Sequence, residues 1–233
     1  MIIGIVGKAG SGKDTIAGVL AKDYQYFPLS FAEPLKIFCQ KVLGFTSEQL
    51  WGPSEKRLEP HHSGQKVRVC VNCGWFGQQV RESLLVSDGL CPHCEIAGPL
   101  EVPLTARLAL QTLGTDWGRA VKLDIWAQAG VSLATEILAG RGAAEGVANL
   151  TAHKPEGIVF SDVRFLNEAE AIREAGGVIW RVTRPGIADS GGVANHPSEV
   201  EQDKINPDLI IANVGTLADL VLMVLDAWEK SCS

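Results

Sequence analysis

The 233-residue chain has no surplus of positive charge: 21 Lys and Arg stand against 27 Asp and Glu, a formal net charge of −6. That balance argues against a protein whose main work is coating nucleic acid, which draws on clustered cations and released counterions. There is no apolar run long enough to cross a bilayer, which takes about 20 residues. The longest, LADLVLMVLDAW at 217–228, is interrupted by Asp219 and Asp226. There is no basic leader with a small-residue cleavage site, so the opening MIIGIVGKAG reads as a buried first strand. No internal repeat is present. These absences predict a soluble, cytoplasmic protein with no membrane partner.

With 46% hydrophobic and 21% charged residues, the chain can build one sizeable core plus a small accessory module, and not two full domains. Short apolar, β-rich runs at 2–6, 26–31, 157–162, 178–183 and 208–213 alternate with helical patterns at 13–22, 34–43, 104–118, 124–139, 166–175 and 216–230. Near-continuous apolar strands separated by helices predict an α/β fold with a parallel sheet covered on both faces. Two stretches break the rhythm. Residues 66–98 hold two cysteine pairs and several turn residues and read as an insertion with its own nucleus. Residues 140–157, rich in Gly and Ala, read as a long irregular connection.

The segment GKAGSGKDT at 7–15 follows the first strand directly and opens a helix. Its glycines permit a tight loop whose backbone N–H groups face inward at a positive helix end, an anion nest. Gly10, Ser11 and Gly12 belong to that nest, and Lys13 sets an ammonium against the β- and γ-phosphates of a nucleotide. One feature departs from the usual loop: the position after the lysine, where a hydroxyl ordinarily holds Mg²⁺, is Asp14, with Thr15 next. Asp14 is readable either as an outer partner of a magnesium ion or as a carboxylate offsetting the helix macrodipole.

Phosphoryl transfer needs cations around the moving group and in-line placement of two substrates, so the arginines carry the next clues. Arg107 and Gln111 lie one turn apart on a predicted helix, with Arg119 beyond them; a guanidinium and an amide together suit a phosphate and a base edge. A solvated helix face is the plainer alternative. Asp162 and Arg164 end the strand IVFSD, where ligands sit in open α/β sheets; helix capping competes as a reading of Asp162. Arg181 lies within a strand and can be simply paired, whereas Arg184 emerges at the loop and can close over ATP. The following ADSGGVAN and His196-Pro-Ser-Glu199 suggest a hinged lid over 184–200.

Taken in order, GKAGSGKDT at 7–15, SFAEPLK at 30–36, RLALQTLGTDWGR at 107–119, DVRFLNE at 162–168 and HPSE at 196–199 resemble the phage-type deoxynucleoside monophosphate kinases of the P-loop kinase superfamily. The resemblance runs through most of the chain and omits 66–98. It implies a three-layer P-loop kinase sandwich over residues 1–233 with a five-stranded parallel sheet, and transfer of the γ-phosphoryl group of ATP to a (deoxy)nucleoside monophosphate. In that reading Lys13, Arg164, Asp162 and Arg107 are catalytic, and Thr15 binds ATP with Mg²⁺ held largely through water. Asn213 and Gly215, in PDLIIANVGTLADL, lie beside the ATP base. Lys36, Arg107, Gln111, Arg119 and Glu199 serve the acceptor, within a mobile region at 32–119. Small nucleotides are the implied partners, a homodimer is a state such proteins can adopt, and a phage-encoded chain would act in the host cytoplasm. A kinase for another small acceptor such as dephospho-coenzyme A, and an ATP-dependent switch whose metal module grips nucleic acid, are the rival readings.

Of six cysteines, four form two Cys-x-x-Cys pairs, Cys70 with Cys73 and Cys91 with Cys94. Two-residue gaps let each pair make a knuckle with both sulfurs on one tetrahedral ion, so a structural zinc ribbon is expected. Four thiolates leave no open position for a reacting water. The charge balance of 66–98 is poor for nucleic acid, with Lys66, Arg68 and Arg81 against Glu82, Asp88 and Glu95.

Overall fold

The computed structural model describes residues 1–70, 76–77, 94, 100–140, 154–186 and 197–232. The chain divides into two compact units, Met1–Pro34 with Lys122–Ser233, and Leu35–Val121.

The first unit is built on five parallel strands: β1 (Ile2–Val6), β2 (Tyr26–Leu29), β6 (Gly157–Phe160), β7 (Val178–Thr183) and β8 (Leu209–Ala212). Their order is β2-β6-β1-β7-β8. Central β1 pairs Ile3 with Val159 on one side and Val178 on the other, and all five of its residues are buried. Successive side chains leave a strand on opposite faces. Ile3 and Ile5 accordingly join Val159, Trp180, Val182 and Ile211 in a core closed by α1 (Lys13–Tyr24) and α9 (Leu217–Cys232) through Ile16, Leu20, Leu220 and Val224. Each fully buried isoleucine of this layer contributes roughly 1.5–3 kcal/mol. Gly4 points the other way, so close to Ile172 of α7 (Leu166–Glu174) that a methyl group there would lie 2.6 Å from its Cδ1. Helix α6 (Ile125–Leu138) shares that second face with α7, giving helix, sheet and helix layers.

Strands β1 and β7 follow the apolar pattern residue for residue. Strands β2, β6 and β8 are shorter than their patterns: β6 ends at Phe160 because Ser161 and Asp162 turn out of the ladder into a cleft.

The second unit begins within α2 (Glu33–Leu43) and continues through α3 (Ser47–Trp51), whose Thr46 and Gln49 form a reciprocal capping box. A 3-10 turn, Ser54–Leu58, follows. Strand β3 (Lys66–Val69) then pairs antiparallel with β5 (Leu100–Pro103) and with β4 (Phe76–Gly77). The pattern at 104–118 is not one helix. Thr105 caps α4 (Ala106–Gln111), a π-helical turn occupies Thr112–Trp117, and α5 (Gly118–Val121) closes the unit. Two glycines and two β-branched threonines within 112–118 weaken regular helix there. The Sγ atoms of Cys70 and Cys94 lie 3.7 Å apart, too far for a disulfide. Cys73, Cys91, His196, most of the 140–157 connection and residues 187–196 fall outside the described residues.

Candidate functional site

The loop between β1 and α1 is the centre of the site. α1 starts at a capping Gly12 with φ 108°, a left-handed conformation that a side chain would strain. A Cβ there would also sit 2.7 Å from Asn213 Nδ2. The first-turn N–H groups of α1 have no partner within the helix and lie where the macrodipole is positive. Lys13 folds back over the loop, its Nζ donating to Gly7 O at 2.5 Å and to Lys8 O at 2.8 Å. Burial lowers the Lys13 pKa, the nearby Arg164 guanidinium lowers it further, and Asp14 partly opposes both.

Among the described residues, three clefts border this loop. One, of about 340 Å³, is lined by Gly10, Gly12, Lys13, Asp14, Thr15, Arg184, Asn213 and Gly215, closed below by Thr216, Leu217 and Leu220. Its wall is set by the start of α9, where Thr216 N donates to Asp219 Oδ2 at 2.8 Å and Asp219 N returns to Thr216 Oγ1 at 3.3 Å. The Thr216 N–H, and the Thr216 hydroxyl donating to the same Oδ2 at 2.8 Å, hold the Asp219 carboxyl below its ordinary pKa. They also explain Gly215, since any Cβ there would lie 2.5 Å from Asp219 Oδ2. Asn213 donates from Nδ2 to Ser11 O at 2.9 Å and so braces the loop.

The second cleft, of about 330 Å³, brings Lys13 and Asp14 together with Ser161, Asp162 and Arg164. Ser161 Oγ donates to Asp14 Oδ1 at 3.2 Å, placing a hydroxyl against the carboxylate that stands where the loop ordinarily has one. Capping of α7 falls to Glu168, whose Oε2 accepts from Arg164 N at 2.7 Å and Phe165 N at 3.1 Å; Asp162 lies three residues ahead of the cap. The third cleft, of about 250 Å³, runs between Ser11 and the residues Arg181, Arg184, Gln202 and Asp203. Ser11 Oγ is buried there with no hydrogen-bond partner among the described residues. Arg181 is paired, donating from Nη2 to Gln202 O and Ile205 O at 3.0 and 2.5 Å. Both carbonyls lie around the end of α8 (Pro197–Lys204).

The acceptor candidates Lys36, Arg107, Gln111 and Arg119 all belong to the second unit, on α2, α4 and α5. Arg107 and Gln111 are both exposed on α4. Glu199 lies on α8, and its side chain is outside the described residues. Ser161 and Gln202 carry no functional expectation from sequence. Ser161 could have been found as the neighbour of Asp162 at a strand end. Gln202 could not, because its contact with Gly7 spans 195 residues.

An α/β protein with a lysine-bearing glycine loop at the carboxyl end of a central parallel strand belongs to the class of folds that bind phosphate at that edge. No family model matches the chain. The chain is 29% identical over 233 residues to the protein of Acanthamoeba polyphaga mimivirus named "Putative deoxynucleotide monophosphate kinase", covering 99% of this chain and 97% of that one.

Proposed function

We propose that the chain is an ATP- and Mg²⁺-dependent kinase that transfers the γ-phosphoryl group to a (deoxy)nucleoside monophosphate. One observation carries the reading: Lys13, half-buried and with its pKa depressed, faces the same cleft as the Arg164 cation. Both cations border one cleft, so a polyanion seated there meets two positive charges. The end-to-end similarity to the protein named "Putative deoxynucleotide monophosphate kinase" agrees with it.

In this reading the triphosphate lies along the α1 N-terminus, with Thr15 and Arg184 on its flanks and Asn213 and Gly215 toward the base. A bond forms between the γ-phosphorus and an acceptor phosphate oxygen as the bond to the β-phosphate oxygen breaks, leaving ADP. Lys13, Arg164 and Arg107 offset charge on the transferring group, and Asp162 orients metal or acceptor. Magnesium neutralises phosphate charge when bound; Asp14, with Ser161 beside it, offers the oxygen ligands such a hard cation takes. Lys36, Gln111, Arg119 and Glu199 complete the acceptor side, and 184–200 acts as the lid. A panel of dNMPs, NMPs and dephospho-coenzyme A, read by ADP formation, tests this. Turnover with deoxynucleotide acceptors is expected; turnover with none of the nucleotides refutes the assignment.

The four-cysteine zinc ribbon at 66–98 is part of the same proposal. Four thiolates around a tetrahedral zinc at about 2.3 Å place neighbouring sulfurs roughly 3.8 Å apart. The 3.7 Å between Cys70 and Cys94 fits that edge. Cys73 and Cys91 are the remaining ligands by sequence. Such an ion ties β3 to the chain leading into β5. Elemental analysis of the purified chain is expected to find one zinc per protein; none would remove the ribbon from the reading.

A further inference from the structure

We propose that Gln202 is a positioning residue for Lys13: its side-chain amide fixes the Gly7 carbonyl on which the Lys13 ammonium is hung. The inference rests on the ATP-binding reading above. A backbone carbonyl oxygen has two lone pairs. At Gly7 one accepts Lys13 Nζ at 2.5 Å and the other accepts Gln202 Nε2 at 2.8 Å. The Gly7 oxygen can only accept, so the NH₂ end of the glutamine must face it. Gln202 is buried, which makes this bond costly to lose.

The glutamine is itself held from the sheet. Arg181 Nη2 donates to Gln202 O and Ile205 O, and Arg181 lies in register with Val6, the residue before Gly7. The contacts form a closed circuit: β1 to β7 by the strand ladder, β7 to α8 by Arg181, and α8 back to the loop by Gln202. Asn213 makes the comparable brace at the other end of the loop, but on Ser11 O, which Lys13 does not use. Gln202 therefore acts on the ammonium, and Asn213 acts on the loop.

A double-mutant cycle on the full chain tests this, with ATP affinity measured by titration for wild type, Lys13→Met, Gln202→Met and the pair. Methionine keeps the glutamine's length without the donor. Gln202→Met is expected to weaken ATP binding about tenfold, the scale of one buried hydrogen bond. In the Lys13→Met background it should change affinity by less than about twofold, as coupled residues require. An equal loss in both backgrounds would show a brace of the loop at large and overturn the proposal, as would no loss in either. Should Gln202→Met fail to fold, Arg181→Met attacks the same circuit from β7, and its loss should likewise vanish without Lys13. Failure of the wild type to bind ATP would instead fell the underlying reading.

Discussion

The loop at 7–13 and the segment 35–121 are built by opposite means. The loop is backbone: glycines, helix N–H groups, and side-chain amides from Gln202 and Asn213 that hold its carbonyls. Its rigidity is borrowed from a sheet whose central strand is wholly buried. The segment 35–121 is side chain: short helices, a π-helical turn, a three-stranded antiparallel sheet, and the Cys70–Cys94 approach. A polyphosphate presents the same oxygens whatever base it carries, so fixed backbone donors suit it. In the proposed reading an acceptor has to be told apart from its analogues, and side chains such as Arg107 and Gln111 would supply that difference. A small unit, whose core is limited by its size, also gains most from a metal staple.

The largest expected effect lies on the loop side. Lys13→Met should lower kcat by about 10²–10³-fold, the usual cost of removing one preorganised charge-stabilising group; steady-state ADP release checks this. A loss under threefold would mean the ammonium does not meet the transferring group.

Next, Cys94→Ser should lower zinc affinity by more than the ~10–100-fold typical of losing an outer-shell partner. It should also speed amide exchange in β3 and β5 while leaving ATP affinity within about twofold. A parallel loss of ATP binding would break the contrast between the two regions.

A third effect follows from the Lys13 pKa, which burial lowers from the ordinary lysine value. ATP affinity should decline with rising pH from a point below that of a free lysine, as the ammonium deprotonates. Folding stability has the opposite sign. Between the depressed folded pKa and the ordinary one, the unfolded chain binds more protons, so this group makes stability rise with pH. ATP titrations and denaturant melts across alkaline pH should diverge in this way, and Lys13→Met should abolish both trends.

The smallest effect belongs to Ser161→Ala. Removing one exposed hydrogen bond to Asp14 should raise the Mg²⁺ concentration for half-maximal rate about two- to fivefold. A change in ATP affinity at saturating Mg²⁺ would show that Ser161 serves the loop instead.

Strands β1 and β7 and the glycine loop were legible residue by residue, because a buried parallel strand is a continuous apolar run and a phosphate loop has a fixed grammar of glycines and lysine. Asp14, Thr15, Arg184, Asn213 and Gly215, the sequence's candidates for ATP, all line one cleft. The reason Gly215 must be glycine was not legible: it is the Asp219 capping carboxylate. The split of 104–118 into α4, a π-helical turn and α5 was also hidden, since apolar periodicity reads straight across it. The β3–β5 pairing is not legible in sequence, because its two strands lie about 30 residues apart, on either side of the cysteine knuckles.

Sequence alone determined the sheet's central strands, the glycine loop and the paired cysteines, because each is a local pattern whose residues act within a few positions of one another. The tertiary structure alone decided what holds the loop: Gln202 on Gly7, Asn213 on Ser11 and Ser161 on Asp14. Those hydrogen bonds join residues 147 to 202 positions apart. Hydrogen bonds at such separation depend on how parallel strands bring their carboxyl ends to one edge, and no spacing along the chain encodes that.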